Sequence, residues 1–264
     1  MQLFMMRYYP NCHIIAGICY NKQVSRNGTT GEKGEKRMET ILELQNISLI
    51  AKDKIILKNI NLQVPRGALI AILGESGSGK STMLRVIDGW EKPTSGCVLM
   101  TLLGRQVDIT DLPSNERDIH LMPPNYELLI NKDARKNIAF GLKHKGLKVG
   151  EVNAEVEKLI EELELKGYEY RFLKDLSSGQ QQRIAFARSI IGKPAILLLD
   201  EPFSALNDRL RLIMQNIIKR YQEECGMTVI YTTHNKKAAK EFCDIMLYMK
   251  EGELSGSKNE YSRV

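Results

Sequence analysis

A glycine-rich segment with a single lysine is the part of the sequence best suited to chemistry. Its residues and the one that follows are, in order, Gly74, Glu75, Ser76, Gly77, Ser78, Gly79, Lys80, Ser81 and Thr82. Glycines let successive backbone N–H groups turn toward one point, and a lysine ammonium adds positive charge there. We call residues 74–81 the phosphate loop, since this pattern predicts a polyphosphate site. The hydroxyl of Ser81 could reach a Mg²⁺ ion that bridges the terminal phosphates.

The residues on either side should place the phosphate loop between a strand and a helix. The apolar run 68–73 precedes the loop, and residues 82–88 have the spacing of an amphipathic helix. Because a helix N-terminus carries a positive partial charge, this arrangement favours a bound anion. A flexible glycine loop without a ligand is the alternative, and the ordered flanks argue against it.

Two carboxylates and a histidine follow apolar runs further along the chain. Asp200 and Glu201 end the run 195–199, and His234 ends the run 227–233. Ligands of α/β proteins bind at the carboxyl ends of parallel strands, so these side chains are expected at the same sheet edge as the phosphate loop. One carboxylate could hold Mg²⁺, the other could orient water, and His234 could contact a terminal phosphate. A structural histidine is the alternative.

A second anion site is predicted at the start of another helix. Residues 176–183 open a helix expected to run to about Ile191, with Ser177 or Ser178 as its N-cap. Hydroxyl groups and a glycine at a helix N-terminus can bind phosphate. The candidate residues are Ser177, Ser178, Gly179 and Gln180. An ordinary helix cap is the alternative here.

Composition restricts the class of protein. The chain has 264 residues, 43% of them hydrophobic, which is enough for the core of one large domain or two small ones. It contains no apolar run of about 18 residues, so no membrane-spanning segment is predicted. Its 5 cysteines include no C-x-x-C pair, which indicates unpaired thiols in a reducing compartment.

The net charge of +6 is concentrated in residues 1–37, which hold six Lys or Arg and two Asp or Glu and so contribute +4. The remainder carries only +2, so no nucleic-acid partner is predicted. Residues 31–37 are Gly, Glu, Lys and Arg, whose purine-rich codons before Met38 resemble a bacterial ribosome-binding site. We therefore expect Met38 to be the true start and residues 1–37 to be a disordered or wrongly assigned leader. The intact mass of the natively expressed protein tests this.

Four ordered motifs resemble the nucleotide-binding cassette of ATP-binding cassette (ABC) transporters. They are the phosphate loop, residues 176–180, residues 198–202 and residues 233–234. The resemblance covers about residues 42–252, and residues 112–118, 137–142 and 200–206 look most like ATPase subunits of bacterial importers for polyamines, ferric iron, oxyanions or sugars.

The resemblance implies an α/β fold, the P-loop NTPase ABC cassette, spanning residues 38–252. It would have a mostly parallel core sheet, an N-terminal antiparallel β subdomain, and a helical subdomain at about residues 125–190 that carries the signature motif. We call residues 177–180 the signature segment. Residues 253–264 are expected to form a polar tail, and a C-terminal regulatory β-domain is not expected.

The resemblance also implies a role for each motif residue. Lys80 would bind the β- and γ-phosphates of ATP, Ser81 and Asp200 would hold Mg²⁺, Glu201 would polarise the attacking water, and His234 would contact the γ-phosphate. The signature segment of a second subunit, either another copy or a paralogous ATPase, would close on the same ATP. An integral membrane permease, an extracellular substrate-binding protein and a peripheral location on the cytoplasmic face of the membrane are implied as well.

Four positions depart from the family pattern. Ala51 stands where an aromatic residue usually stacks on adenine, and Pro124 where a glutamine usually touches Mg²⁺. Ser178 replaces the first signature glycine, and Asn207 replaces an aspartate. These departures predict a slow or weakly coupled ATPase. A degenerate nucleotide-binding regulator is the alternative, whereas the tandem cassettes of translation factors and the long coiled coils of DNA-repair ATPases do not fit one compact cassette.

Overall fold

The computed structural model describes residues 39–143 and 145–256. The leader predicted for residues 1–37 and the part of the predicted tail from residue 257 onward lie outside the described residues. The described residues form ten strands: β1 (Thr40–Ala51), β2 (Lys54–Pro65), β3 (Leu69–Leu73), β4 (Ser95–Leu102), β5 (Arg105–Asp108), β6 (Ile119–Met122), β7 (Ile196–Leu199), β8 (Thr228–Thr233), β9 (Ile245–Lys250) and β10 (Glu253–Ser255). The described helices are α1 (Lys80–Asp88), α2 (Ala134–Phe140), α3 (Val149–Glu162), α4 (Ser178–Ile190), α5 (Asp208–Cys225) and α6 (Lys236–Phe242).

A six-stranded, mostly parallel sheet positions the chemistry. Its strands lie in the order β10-β9-β3-β8-β7-β6, and every neighbouring pair is parallel except β9 with β10. Strands β3 and β7 are wholly apolar and fully buried, as expected for parallel strands that are covered on both faces. Because β3, β7 and β8 run in the same direction, the residues that follow them meet at one edge of the sheet.

The central sheet separates two apolar cores. Successive residues of β3 point to opposite faces, so Leu69 and Leu73 pack into the core that holds α3, α4 and α5, while Ile70 and Ile72 pack with α1. The second core also receives the buried face of a four-stranded antiparallel sheet with the order β2-β1-β4-β5. The predicted fold class is therefore confirmed, with a parallel core sheet and an N-terminal antiparallel sheet.

A two-residue hairpin joins β1 to β2. Ala51 pairs with Lys54, and the intervening Lys52 and Asp53 have φ angles of 47° and 62°. Positive φ at both central residues gives the turn a twist that suits the flanking strands. Ala51 lies at the tip of this hairpin, at the position where the family pattern has an aromatic residue that stacks on adenine.

The chain beyond residue 252 differs from the predicted polar tail. Glu253–Ser255 forms β10, which pairs antiparallel with β9 so that Glu253 lies opposite Lys250. Glu251 and Gly252 have φ angles of 47° and 81°, so two residues suffice to reverse the chain. The composition of this segment is polar because the strand lies at the edge of the sheet, where one side of the ladder faces solvent.

The helices agree with the sequence periodicity. Residues 149–162 form α3, and the helix predicted to run to about Ile191 is α4, with Ser177 as its N-cap and Ser178 as its first residue. Helices α2, α3 and α4 lie within the helical subdomain predicted at about residues 125–190. The division into subdomains itself stays a prediction.

Candidate functional site

The phosphate loop leaves β3 and enters α1 as predicted. Gly77 and Gly79 have φ angles of 80° and 110°, which L residues with a Cβ rarely adopt. A Cβ on Gly79 would also lie 3.0 Å from the carbonyl oxygen of Ile56 in β2, and one on Gly74 would collide with the carbonyl oxygen of Met249 in β9. The loop is thus packed closely against β2 and β9, which leaves no room for a Cβ at Gly74 or Gly79.

Lys80 is held inside the phosphate loop by the loop's own backbone. Its ammonium donates hydrogen bonds to the carbonyl oxygens of Gly74 at 2.7 Å and Glu75 at 2.8 Å. Lys80 is only 5% exposed. Burial lowers the pKa of Lys80, and the nearby carboxylates of Glu201 and Asp200 partly offset this effect. The side chain is therefore a cation already placed where phosphate oxygens could replace two carbonyl oxygens.

Asp200 is fixed by the strands on either side of it. The hydroxyl of Thr232 in β8 donates a 2.6 Å hydrogen bond to Asp200 Oδ1 and accepts one of 3.0 Å from the backbone N–H of Glu201. The backbone N–H of Asp200 donates to the carbonyl oxygen of Met122, the last residue of β6, at 2.9 Å. The carboxylate is 4% exposed. Three parallel strands therefore determine its position.

Glu201 and His234 are in direct contact at the sheet edge. Nε2 of His234 lies 2.5 Å from Oε1 of Glu201, and the two side chains are 44% and 35% exposed, respectively. Glu201 has a φ of 51°, an uncommon conformation for a residue other than glycine. Such strain is often found where a side chain must point into a functional site. The sequence analysis expected four side chains to lie at one edge of the sheet. The structure places them there: Lys80, Asp200, Glu201 and His234.

The signature segment forms a second, exposed feature. Ser177 and Gln180 make a capping box, in which Gln180 N–H donates to Ser177 Oγ at 3.3 Å and Ser177 N–H donates to Gln180 Oε1 at 2.8 Å. Ser177 and Ser178 are exposed, and a Cβ on Gly179 would meet only the carbonyl oxygen of Ala205, at 3.6 Å. Among the hydrogen bonds between described residues, none joins the signature segment to Lys80 or Asp200 of the same chain.

Two residues near the carboxylates escaped the sequence reasoning. Thr232 connects both acidic residues, and Gln182 of α4 is fully buried with its Nε2 3.5 Å from the carbonyl oxygen of Glu201 and 3.4 Å from Oγ of Ser204. A polar residue on the buried face of α4 was the available signal for Gln182. Thr232 carried no such signal, since threonine is common in strands.

The remaining phosphate-loop residues differ in exposure. Glu75 and Ser76 are exposed, Ser81 and Thr82 in the first turn of α1 are half-buried, and Ser78 is buried. The Ser78 hydroxyl has no hydrogen-bond partner in the described part of the chain. The backbone carbonyl oxygen of Ser78 accepts a 2.9 Å hydrogen bond from the N–H of Gly252. The turn between β9 and β10 at residues 251–252 is therefore hydrogen-bonded to the phosphate loop.

A Mg²⁺ ion fits the donors at this edge. The Ser81 hydroxyl and the Asp200 carboxylate are oxygen ligands of the kind that Mg²⁺ prefers, and the ion usually takes its other ligands from water and phosphates. Within residues 39–143 and 145–256 there is no group of three His, Cys, Asp or Glu side chains that could hold a metal on its own.

The departing positions have distinct surroundings. Ala51 is exposed at the hairpin tip, next to the cross-strand pair Ile50 and Ile55, which are 52% and 57% exposed. Pro124 is exposed in the loop after β6. Asn207 caps α5 by accepting a 2.9 Å hydrogen bond from the N–H of Leu210, the same capping role that an aspartate performs. The Asn207 substitution therefore keeps its local structural function.

None of the six described helices is both long and apolar enough to cross a lipid bilayer. The described site instead has the parts of a P-loop nucleotide-binding domain: a phosphate loop between strand and helix, with an acidic pair and a histidine at the same sheet edge. The family model for the ABC transporter matches residues 57–204, more than half of the chain. The chain therefore belongs to the ABC transporter family, as predicted.

Curated relatives and solved structures agree with this assignment. The spermidine/putrescine import ATP-binding protein PotA of Acetivibrio thermocellus is 40% identical over 214 residues, which are 81% of this chain and 60% of the relative. The PotA protein of Spiroplasma citri is 42% identical over 218 residues, 82% of this chain and 61% of the relative. The chain thus spans about 60% of the length of these relatives.

Two solved structures share the fold. The ATP-binding cassette MJ0796, in a dimeric post-hydrolysis state bound to ADP and Pi, has a TM-score of 0.73 and 29% identity, covering 82% of this chain and 98% of that one. A dimeric structure of MJ0796, described as a bacterial ABC transporter cassette, has a TM-score of 0.74 and 30% identity, covering 81% and 97%. These matches confirm the predicted cassette fold.

Proposed function

We propose that the protein binds ATP and hydrolyses it to drive import of a solute through a separate membrane permease. The observation that carries the proposal is the convergence of the buried Lys80 ammonium, the Asp200 carboxylate and the Glu201–His234 pair at the carboxyl edge of one sheet. Phosphoryl transfer requires positioned cations and carboxylates of this kind far more than covalent chemistry by the protein.

Substrate binding begins at the phosphate loop. The β- and γ-phosphates of ATP would take the place of the Gly74 and Glu75 carbonyl oxygens as acceptors for Lys80. Backbone N–H groups at the start of α1 would also donate to the phosphates. Ser81 and Asp200 would hold a Mg²⁺ ion, which would supply further neutralisation of phosphate charge. The rest of the phosphate loop, from Gly74 onward, and Thr82 after it are also proposed to line the nucleotide.

Glu201, the more exposed of the two carboxylates, is the residue proposed to promote hydrolysis. Glu201 orients a water molecule whose oxygen attacks the γ-phosphorus, the bond from that phosphorus to the β–γ bridging oxygen breaks, and ADP and phosphate are the products. In the described conformation Glu201 is engaged by His234 at 2.5 Å. Contact of His234 with the γ-phosphate would replace this bond and leave Glu201 available to the water.

A second subunit would complete the site. The signature segment is exposed at a helix N-terminus, an arrangement that suits an anion supplied from outside the subunit. The solved MJ0796 cassettes are dimers, and one of them holds ADP and Pi. We infer a head-to-tail dimer with another copy or a paralogous ATPase, in which Ser177, Ser178, Gly179 and Gln180 of one subunit close on the ATP of the other.

The import direction and the partners rest on the relatives. The PotA proteins are named for spermidine/putrescine import, which supports a polyamine as the solute and a bacterial import system as the setting. The protein would then sit on the cytoplasmic face of the membrane against an integral permease, with an extracellular binding protein delivering the solute. Co-purification with a membrane permease supports this assignment, whereas co-purification with ribosomes or DNA contradicts it. Deletion of the gene should lower uptake of labelled spermidine and leave ferric iron uptake unchanged.

The hydrolytic step can be tested with a matched pair of variants. Glu201→Gln removes the water-orienting carboxylate and should lower phosphate release by about 100-fold or more while ATP binding persists. Glu164→Gln changes an exposed glutamate that also has a positive φ but lies outside the phosphate loop and this sheet edge, and it should leave phosphate release unchanged. Release that is equally fast in the Glu201→Gln variant and the parent would refute the assigned role.

The second candidate is a nucleotide-binding regulator with little turnover. The exposed residues Ala51 and Pro124 favour it. Ala51 lacks the aromatic ring, and Pro124 lacks the side-chain amide, that the family pattern has at these positions. The intact Lys80, Glu201 and His234 oppose it. Tight ATP binding by the parent protein without detectable phosphate release, in the presence of its permease, would select this candidate.

A further inference from the structure

The loop that leaves β6 has an unusual backbone. We call residues 123–127 the β6 loop. Tyr126 and Glu127 are consecutive and have φ angles of 63° and 42°, in the left-handed region that favours glycine. Two adjacent residues of this kind persist only where the surroundings hold them.

The side chain of Arg188 supplies that support from α4. Its Nη1 donates a 2.8 Å hydrogen bond to the carbonyl oxygen of Glu127, and its Nη2 donates one of 2.7 Å to that of Tyr126. The two N–H groups of a guanidinium form a rigid fork, so they can hold two successive carbonyl groups in one orientation. Arg188 is half-buried against the loop, and this burial lowers its pKa while the Glu127 carboxylate partly offsets the effect.

The β6 loop is tied to the site just before its first residue. Met122 immediately precedes it and accepts the hydrogen bond from the N–H of Asp200. Two residues beyond the loop, the side chain of the fully buried Asn137 accepts a hydrogen bond from the N–H of Leu129 at 2.8 Å and donates one to the carbonyl oxygen of Leu129 at 3.2 Å. Between these two anchors, Arg188 provides the side-chain contact from α4.

Helix α4 is also the helix that begins with the signature segment. Arg188 lies near its C-terminal end, about three turns from Ser177. A change in the position of the signature segment would therefore be carried along a rigid helix to the guanidinium, and from there to the loop beside Asp200.

We propose that Arg188 is a positioning residue that holds Tyr126 and Glu127 in left-handed conformations and so makes the β6 loop move together with α4. This rests on the proposed ATPase function, because its effect is to align the edge at Asp200 with the signature segment. Arg188 touches neither the reacting atoms nor the proposed nucleotide site. Its loss should therefore reduce kcat and leave the KM for ATP nearly unchanged.

Four variants separate this role from a general structural one. In Arg188→Met the loop loses both hydrogen bonds, and kcat should fall about 10- to 100-fold, the range expected for a misplaced site. Arg188→Lys retains the charge but not the fork and should recover only part of the activity. Adding Glu127→Gly to Arg188→Met gives the backbone a residue that adopts positive φ freely, and it should restore activity at least threefold. Adding Glu127→Ala removes the same carboxylate without that freedom and should restore none.

Hydrogen exchange measured by mass spectrometry gives an independent readout. The N–H groups of Tyr126, Glu127 and Leu129 are hydrogen-bonded in the described structure. Their exchange should accelerate in Arg188→Met and slow again in the double variant with Glu127→Gly. Leu103→Gly, at another exposed positive-φ position far from α4 in sequence, should change neither exchange in this loop nor kcat.

The outcomes are distinct. Unchanged exchange in Arg188→Met, or equal rescue by Glu127→Ala and Glu127→Gly, overturns the proposal. If the parent protein releases no phosphate, the proposed ATPase function fails, while the exchange measurements still decide whether Arg188 holds the loop.

Discussion

Asp88 is a buried carboxyl group that should make the protein less stable at neutral pH than it would otherwise be. It is the last residue of α1, is 1% exposed, and accepts a 2.7 Å hydrogen bond from the Ser114 hydroxyl through Oδ2. Its Oδ1 has no partner in the described part of the chain. A negative charge at a helix C-terminus is also unfavourable because the helix dipole is negative there.

The expected size follows from the pKa. Burial raises the pKa of Asp88 from 3.8 to about 6, against the opposing effects of Ser114 and Arg117, and Glu127 adds to the rise. The unfolded chain therefore loses this proton near pH 4 and the folded chain near pH 6. Ionisation costs the folded state nothing below about pH 4, an increasing amount up to pH 6, and about 3 kcal/mol above that.

Asp88→Asn removes the charge and keeps an oxygen that can accept the Ser114 hydrogen bond. Its amide N–H₂ would be buried, and if it finds no acceptor this offsets about 1–2 kcal/mol of the added stability. We expect the free energy of unfolding to rise by about 1–2 kcal/mol at pH 7.5 and to be unchanged or lower at pH 4.5. The sign follows because a raised carboxyl pKa destabilises the folded state only where the group must ionise.

Urea titrations of parent and variant at pH 4.5, 5.5, 6.5 and 7.5 measure this difference. The control is Asp111→Asn, since Asp111 is 77% exposed in its ion pair with Lys92 and should change stability by no more than about 0.5 kcal/mol at any pH. A variant that is less stable than the parent at pH 7.5, by more than at pH 4.5, would show that Asp88 is stabilised by its surroundings and refute the reasoning.

Three further predictions concern the departing and strained positions. Ala51→Tyr should tighten ATP binding by about 5- to 150-fold, the value of one base-stacking contact, and unchanged affinity in a fluorescence titration would place the base elsewhere. Gly79→Ala should weaken nucleotide binding by about tenfold or more, because a Cβ there combines a φ of 110° with a 3.0 Å approach to Ile56; Gly104→Ala has a φ of 72° in open space and should affect binding little. Asn207→Ala should lower the free energy of unfolding by about 1 kcal/mol through loss of the α5 cap, whereas Asn207→Asp should be nearly neutral in the same denaturant titration.

Local sequence patterns predicted the elements that carry the site, for physical reasons that can be named. The phosphate loop needs glycine at positions 77 and 79 because of its backbone angles, and an apolar run before Asp200 is what a strand buried on both faces requires. The cap of α4 was likewise predicted at Ser177 or Ser178, and Ser177 is the N-cap. Each of these signals lies within a few residues of the feature it predicts.

Features that depend on distant partners were not predictable in this way. Thr232 looks like an ordinary strand residue, and only its position beside Asp200, which ends the neighbouring strand β7, gives it a role. The end of the chain was expected to be a polar tail because an edge strand such as β10 needs no apolar alternation. Sequence spacing alone does not distinguish a solvent-facing strand of three residues from an irregular segment.

The contact between His234 and Glu201 bears on how hydrolysis could be controlled. Glu201 has a positive φ, its backbone N–H donates to Thr232 of β8, and its carboxylate contacts His234, the residue that follows β8. Because Thr232 also holds Asp200, any movement of β8 shifts both carboxylates together. The β6 loop begins beside the same aspartate and is gripped by Arg188 of α4. A signature helix displaced by a partner subunit would therefore act on the acidic pair through backbone contacts, without itself reaching the water or the phosphate.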